Sequence, residues 1–544
     1  MATVNKKRKA TLREQKRRKE MHLNFMAAPS YDLSDPLLRL VCVSASAFFG
    51  EPSYYKGKGT ERTWLHRASG RRFLDRSLVK HLRDTLNAID DYEWRNLTPA
   101  ETMVRAIREA LAYNIEETLH WAVHLRNVEN IRVTPQIILV EAANSKKAKG
   151  TGIIRHFGRK IILRADEPAT QLAYQLSEFG KPIPNSLKRA WSDYFKNCSD
   201  YELAKYRMEK RIVKTVDVGN LAYGKGFYGY DTPIGKLMRG ELKLGEGRKT
   251  WESIISSGGS WEEAIKVMGH MALLRNIRNL TQNGVDPRLW LDKLVSGAEK
   301  GRQLPFRYLT AYLIARQEGM SGNILDAIEE CLELSIGNLP RLKGRSLILT
   351  DNSGSAHGCP ISSMSSMSVA QIGNLMGVLT GKISDDGVVG VFGDRLKYVS
   401  IRKRASTLEQ QVALNRIGKK IGQATENGIW LALDDAIKSK KHWDNIFVYS
   451  DMQAGHGGLY GTNQRKYREF AWPRNKRYID VPKLIDTYRN KVNKDVNVFL
   501  VQIAGYEDTI IPEYYHRTFI IGGWSEGVLR FADAMIKQFD NLKQ

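Results

Sequence analysis

The residues most suggestive of chemistry lie in "RSLILTDNSGSAHGCP" (Arg345–Pro360). There Asp351, Ser353 and Ser355 recur at two-residue steps directly after the apolar run "SLILT". Hard oxygens in an incomplete shell suit Mg2+, which keeps several waters and is seldom caged by protein alone. Asp, Asn, Ser and Gly are also the commonest turn formers, so the motif on its own equally describes a bare loop. Two other positions argue for the cation. Asp451 follows "NIFVYS" just as Asp351 follows "SLILT", and Thr425 stands in "GQATENG" ahead of the helix-like "IWLALDDAI". Ligands of open α/β sheets collect where strands end and loops begin. Asp351, Ser353, Ser355, Thr425 and Asp451 are therefore the candidate ligands of Mg2+ or another divalent cation. His357 and Cys359 in "AHGCP" raise zinc as an alternative, with His456 as a distant third soft ligand. No second Cys/His cluster stands at finger or ribbon spacing.

A second chemistry is written in "LKRAWSDYFKNCSDYELAKYRMEKRIVK". It gathers Lys188, Arg189, Lys196, Lys205, Arg207, Lys210, Arg211 and Lys214, with Trp191, Tyr194, Phe195, Tyr201 and Tyr206 between them. Cations neutralise phosphates, and exposed aromatics stack on unpaired bases. Large aromatics are usually core residues, so helix packing is the preferred reading of the rings. The cations are read as RNA contacts. The whole chain supports this, because its formal net charge is +25 and a long-range positive field attracts polyanions.

These residues need elements to hold them. From about Ala28 to Leu342 the hydrophobic period is helical. Met103, Ile107, Leu111, Ile115 and Leu119 form one stripe, and Ile265, Met268, Ala272, Leu273 and Ile277 form another. "SLKRAWSDYFKNC", "SDYELAKYRMEKR" and "RYLTAYLIARQEG" are further helix-sized pieces. Together they suggest paired antiparallel helices stacked as a degenerate α-solenoid. After "GNLPRLKGR" the runs "SLILT", "GVVGVFG", "NIFVYS", "VNVFLVQI" and "TFII" alternate with helical stretches, as in a buried parallel sheet covered on both faces. The expected organisation is a basic tail at 1–27, an all-α domain at 28–342 and an α/β domain at 343–544. Four scattered cysteines and no long apolar run point to a reducing compartment, with the cytoplasm expected. "KKRK" in the tail also resembles a nuclear-import patch.

Two family resemblances follow from these residues. "LILTDNSGS", Thr425 and "VYSDM" resemble the metal-ion-dependent adhesion site of a von Willebrand factor A domain. That resemblance implies a Rossmann-like α/β fold in which the serines and threonine reach the ion and the aspartates often act through water. An outside carboxylate can then complete the octahedron. Here the threonine stands in "QATE", where the family usually has Gly-Gly before it and Asp after it. "DEPATQLAYQLSEFGKPIPNSLKRAWSDYFKNCSDYELAKYRMEKR", "AVHLRNVENIRVTPQIILVEAA" and "MALLRNIRNL" resemble the TROVE module of Ro ribonucleoproteins, nearer the bacterial than the animal members. The resemblance implies a monomeric ring of HEAT-like repeats closed by the A domain. Small noncoding Y RNA would bind its outer surface, and single-stranded ends of misfolded RNA would enter its hole. Bacterial members are linked to exoribonucleases such as polynucleotide phosphorylase in RNA quality control, processing and decay. Lys205 matches a lysine of the Y RNA surface, Lys210 or Arg211 supplies a second cation, and Tyr223 stands about where animal members have a histidine.

No G-x-S-x-G elbow, phosphate loop or added carboxylate cluster of a two-metal nuclease is found. A binding protein is therefore expected and not an enzyme. A metal-dependent protein scaffold without specific RNA and a Mg2+-dependent nuclease are the alternatives.

Overall fold

The computed structural model describes residues 21–23, 29–31, 36–44, 99–128, 131–206, 211–223, 231–242, 249–301, 303, 305–358, 367–422, 428–451, 469–470, 479–503, 517–522 and 527–541. Thr425, Arg207, Lys210, Cys359, His456 and the "KKRK" patch lie outside them, as does the basic tail apart from 21–23. The chain divides into two compact units, one running Val104–Asn338 and the other comprising Leu339–Gln544 with N-terminal residues.

The first unit is helical throughout its described residues. Its character is clearest in the Thr134–Asn144 helix, whose residues from Thr134 to Ala143 are all buried. A helix that is apolar on every side must be surrounded, and this one packs against Ile115–Asn127, Ile153–Ile161 and Glu167–Glu178. Gln136, Glu141 and Asn144 are bonded to neighbours. The Glu141 carboxylate accepts two hydrogen bonds from Arg108, at 2.9 and 2.7 Å, and one from Tyr174 Oη at 2.6 Å. Gln136 accepts from Gln171 at 2.6 Å, and Asn144 donates to Gln175 at 2.6 Å. Gly158 lets helices Ile153–Ile161 and Asn185–Phe195 close on each other, since a Cβ there would lie 2.8 Å from Ala190 Cβ.

Both long helical stripes are interrupted. The first breaks at Asn114, whose backbone is extended and whose Oδ1 accepts from the N–H groups of Glu116 and Glu117 at 3.1 Å. It thereby ends Pro99–Tyr113 and caps Ile115–Asn127. The second breaks at Met268–Gly269, between Trp261–Val267 and His270–Gln282.

The second unit holds a six-stranded sheet: β1 (Leu342–Asp351), β2 (Ser384–Phe392), β3 (Leu396–Ser400), β4 (Asn445–Ser450), β5 (Asn497–Gln502) and β6 (Thr518–Gly522). Its order is β3-β2-β1-β4-β5-β6. The reversal of strand order at β1/β4 is the switch point at which doubly wound sheets bind ligands. All neighbours are parallel except β2/β3. The five strands expected from sequence are thus parallel, and the unexpected strand β3 adds an antiparallel edge. β3 is half exposed, so it lacks the apolar run that marks the central strands. β4 and β5 are buried at every position. The Pro36–Ser44 helix, assigned from sequence to the helical domain, packs on edge strand β6.

Candidate metal centre and nucleic-acid interface

Parallel pairing sets the metal site. Thr350 of β1 lies beside Tyr449 of β4, so Asp351 and Asp451 emerge at the same end of adjacent strands. Asp351, Ser353 and Asp451 are all buried. Asp351 Oδ1 accepts from the Ser353 N–H at 2.9 Å, which folds the loop back over the strand end, and Oδ2 accepts from Ser450 Oγ at 2.6 Å. Burial pushes the Asp351 carboxyl above the usual range, against the pull of these donors. Ser353 Oγ and Ser355 Oγ lie 3.1 Å apart, so both hydroxyls converge.

This donor set fits a small divalent cation. Ligands at about 2.1 Å on adjacent vertices of a Mg2+ octahedron lie about 3 Å apart, close to the serine spacing, whereas Ca2+ spreads them further. Two buried carboxylates on one strand rim supply the negative charge. His357, in the short helix Gly354–Gly358 that also carries Ser355, is pushed below the usual imidazole range by burial. Among the described residues no group of three or more His, Cys, Asp and Glu stands together as a metal cluster.

The loop is tied down by a residue that the sequence reading passed over. Asn352 stands between Asp351 and Ser353, is completely buried, and exchanges amide hydrogen bonds with Asn374 at 3.1 and 2.9 Å.

In the basic segment Trp191 and Phe195 are fully buried, as helix packing requires, and Trp191 Nε1–H donates to Gln171 Oε1 at 2.6 Å. On the same Asn185–Phe195 helix Arg189 is exposed and Lys188 half-buried. Tyr201 departs from the core reading, being 38% exposed. It belongs to the helix Asp200–Lys205, started by a Ser199/Glu202 capping box. Lys205 Nζ lies 5.5 Å from the Tyr201 ring and 5.6 Å from that of Tyr206, and Arg164 stands 4.2 Å over Tyr206 from the preceding repeat. Two cations and two partly open rings thus form one cluster, of which Arg164 was not anticipated. Lys205 and Arg211 are exposed, and so is Lys214, whose backbone N–H caps onto Asp217 at 2.8 Å. Lys188 and Arg189 belong to a different helix from Lys205. The helices Asn185–Phe195 and Asp200–Lys205 are bridged by Thr215–Tyr223 and Pro233–Met238. On the neighbouring helix Arg155 and Arg159 share the single Asp193 carboxylate, at 2.6 and 3.0 Å, which leaves surplus positive charge. These two arginines hold the Asp193 carboxyl below the usual range.

No protein-family model matches the chain, and no curated protein matches it. Among solved structures, the Ro (RSR) protein of Deinococcus radiodurans superposes with a TM-score of 0.56 at 15% identity, over 79% of this chain and 93% of that one. The chain shares the fold of a Ro protein. A helical repeat unit and an α/β unit on one chain match the fold expected from sequence.

Proposed function

We propose that this chain is an RNA-binding protein of the Ro type. Its helical unit holds a small noncoding Y or Y-like RNA on a basic face and takes up the single-stranded ends of misfolded or structured RNA. The observation that carries this reading is the cluster of exposed Lys205 and Tyr201 with half-buried Tyr206 and Arg164, set in a Ro-like fold of net charge +25. A lysine beside an open ring can neutralise a phosphate while the ring stacks on the adjoining base. Presenting such RNAs to an exoribonuclease in the cytoplasm, as a monomer, is the corresponding role in RNA quality control.

The strand-end site has a different job. Asp351, Ser353, Ser355 and Asp451, with Thr425, would hold Mg2+ or a similar cation. When bound, the ion supplies an electrophilic vertex for a carboxylate of a partner protein. The chain's own part is to fix Asp351 through Ser450 and Ser353, and to keep both serine hydroxyls converged. The sequence carries no G-x-S-x-G elbow and no phosphate loop, which favours a docking role over hydrolysis.

Reversal of Lys205, Lys210 and Arg211 to Glu tests the RNA surface. Binding of structured RNA should weaken strongly, and the salt dependence should flatten by about 0.9 per lost phosphate contact. An unchanged slope would place the surface elsewhere.

A further inference from the structure

We propose that Asn352, Asn374 and Asn415 form a positioning triad that holds the metal loop in its ligating shape; this rests on the reading of the strand end as a divalent-cation site. Asn352 has a ligand candidate on either side, and its own side chain is bonded away from them. Its Nδ2 donates to Thr350 O at 3.0 Å and to Asn374 Oδ1 at 3.1 Å, and its Oδ1 accepts from Asn374 Nδ2 at 2.9 Å. Its backbone N–H donates to Phe392 O at the end of β2, at 2.8 Å. Asn374 Nδ2 donates its other hydrogen to Asn415 Oδ1 at 2.7 Å. The triad therefore joins the end of β1 to two helices, Val369–Ile383 and Thr407–Gly418.

Three features argue against a merely space-filling role. Asn374 stands in a helix whose neighbouring residues Ile372, Leu375, Met376 and Val378 are all buried, where an aliphatic side chain would avoid desolvating an amide. All four amide hydrogens of Asn352 and Asn374 are used, and a fully satisfied buried network admits one geometry. Gly418, the last residue of its helix, approaches so closely that a Cβ there would lie 2.0 Å from Asn352 Oδ1. The helix end and the amide pair thus hold Asn352, and with it the backbone between Asp351 and Ser353. Partners behind the ligands orient metal sites generally, and their loss costs about 10- to 100-fold in affinity.

Mn2+ titration of the full chain by calorimetry tests this. Asn374→Leu should weaken Mn2+ binding at least tenfold. Asn415→Ala, which removes only the outermost amide, should weaken it several-fold. Val389→Ala, a cavity in the middle of β2 opposite Ile348, should leave the affinity of the folded protein within twofold. The proposal is overturned if Asn374→Leu binds within twofold of wild type, or if Val389→Ala weakens binding as much. Should Asn374→Leu fail to fold, an unchanged affinity in Asn415→Ala overturns it alone. Wild-type protein that binds Mn2+ no better than Asp351→Ala would instead refute the metal reading itself, and the triad's role with it.

Discussion

The seating of the basic Asn185–Phe195 helix can be tested through one glutamine. Trp191 Nε1–H donates to Gln171 Oε1 at 2.6 Å, Gln171 Nε2 donates to Gln136 Oε1 at 2.6 Å, and Gln136 Nε2 donates to Ile161 O at 3.3 Å. All three side chains are buried. Gln171→Leu keeps nearly the same volume but leaves the indole N–H and Gln136 Oε1 without partners. Each such orphan costs about 1–3 kcal/mol. The leucine returns part of this by apolar transfer, so a net loss of about 2–4 kcal/mol is expected. In a unit of this size about 1 kcal/mol shifts Tm by 2–4 °C, which gives a fall of about 5–15 °C by calorimetry. Trp191→Phe removes the orphaned donor, so the double variant should be less destabilised than the sum of the single ones by about 1–2 kcal/mol. Strictly additive losses, or a Gln171→Leu protein as stable as wild type, would refute the claim that this ladder seats the helix.

Three further outcomes are expected. Cys198 and Cys331 are buried and burial pushes both thiols up to about 12, so peptide mapping after maleimide treatment at pH 8 should find both unmodified in native protein and modified in denaturant. His270 is held below its usual range by burial, with Nδ1 against Leu294 O and Nε2 against Tyr308 Oη, each at 2.8 Å. A depressed imidazole stabilises the fold above its unfolded value and loses that contribution as pH falls below about 6.5; His270→Gln should therefore show a flatter fall in Tm between pH 7.5 and 5.5, and an identical slope would dismiss the linkage. Asp351→Ala should abolish divalent-cation binding while leaving RNA affinity within about twofold, as expected for independent sites carried by separate units; calorimetry with Mn2+ and filter binding of RNA check the two.

The central strands were legible because burial on both faces writes itself as continuous apolar sequence. "NIFVYS" coincides with β4, and "VNVFLVQI" contains β5. The edge strand β3 was not legible, since a half-exposed strand such as "LKYVS" has the composition of a loop. Helical periodicity located the repeats but ran through Asn114, because a break that preserves the apolar stripe on both sides leaves no mark except the cap residue itself. Asp351 and Asp451 could be paired from sequence since parallel register brings strand ends together. Asn352, Asn374 and Asn415 could not, because a hydrogen-bonded triad spread over 64 positions, from 352 to 415, has no local pattern. Arg164 escaped for the same reason: its partner Tyr206 stands 42 positions on, at the end of the helix Asp200–Lys205.

The central claim is that the chain carries a specific RNA. Ultraviolet crosslinking of the protein in cells, followed by sequencing of the RNA that copurifies, tests it most directly. One or a few structured small RNAs should be enriched, with crosslinks at Tyr201 or Tyr206 and loss of the signal in Lys205→Glu. Recovery of no RNA above that seen with a basic control protein of matched charge would contradict the account.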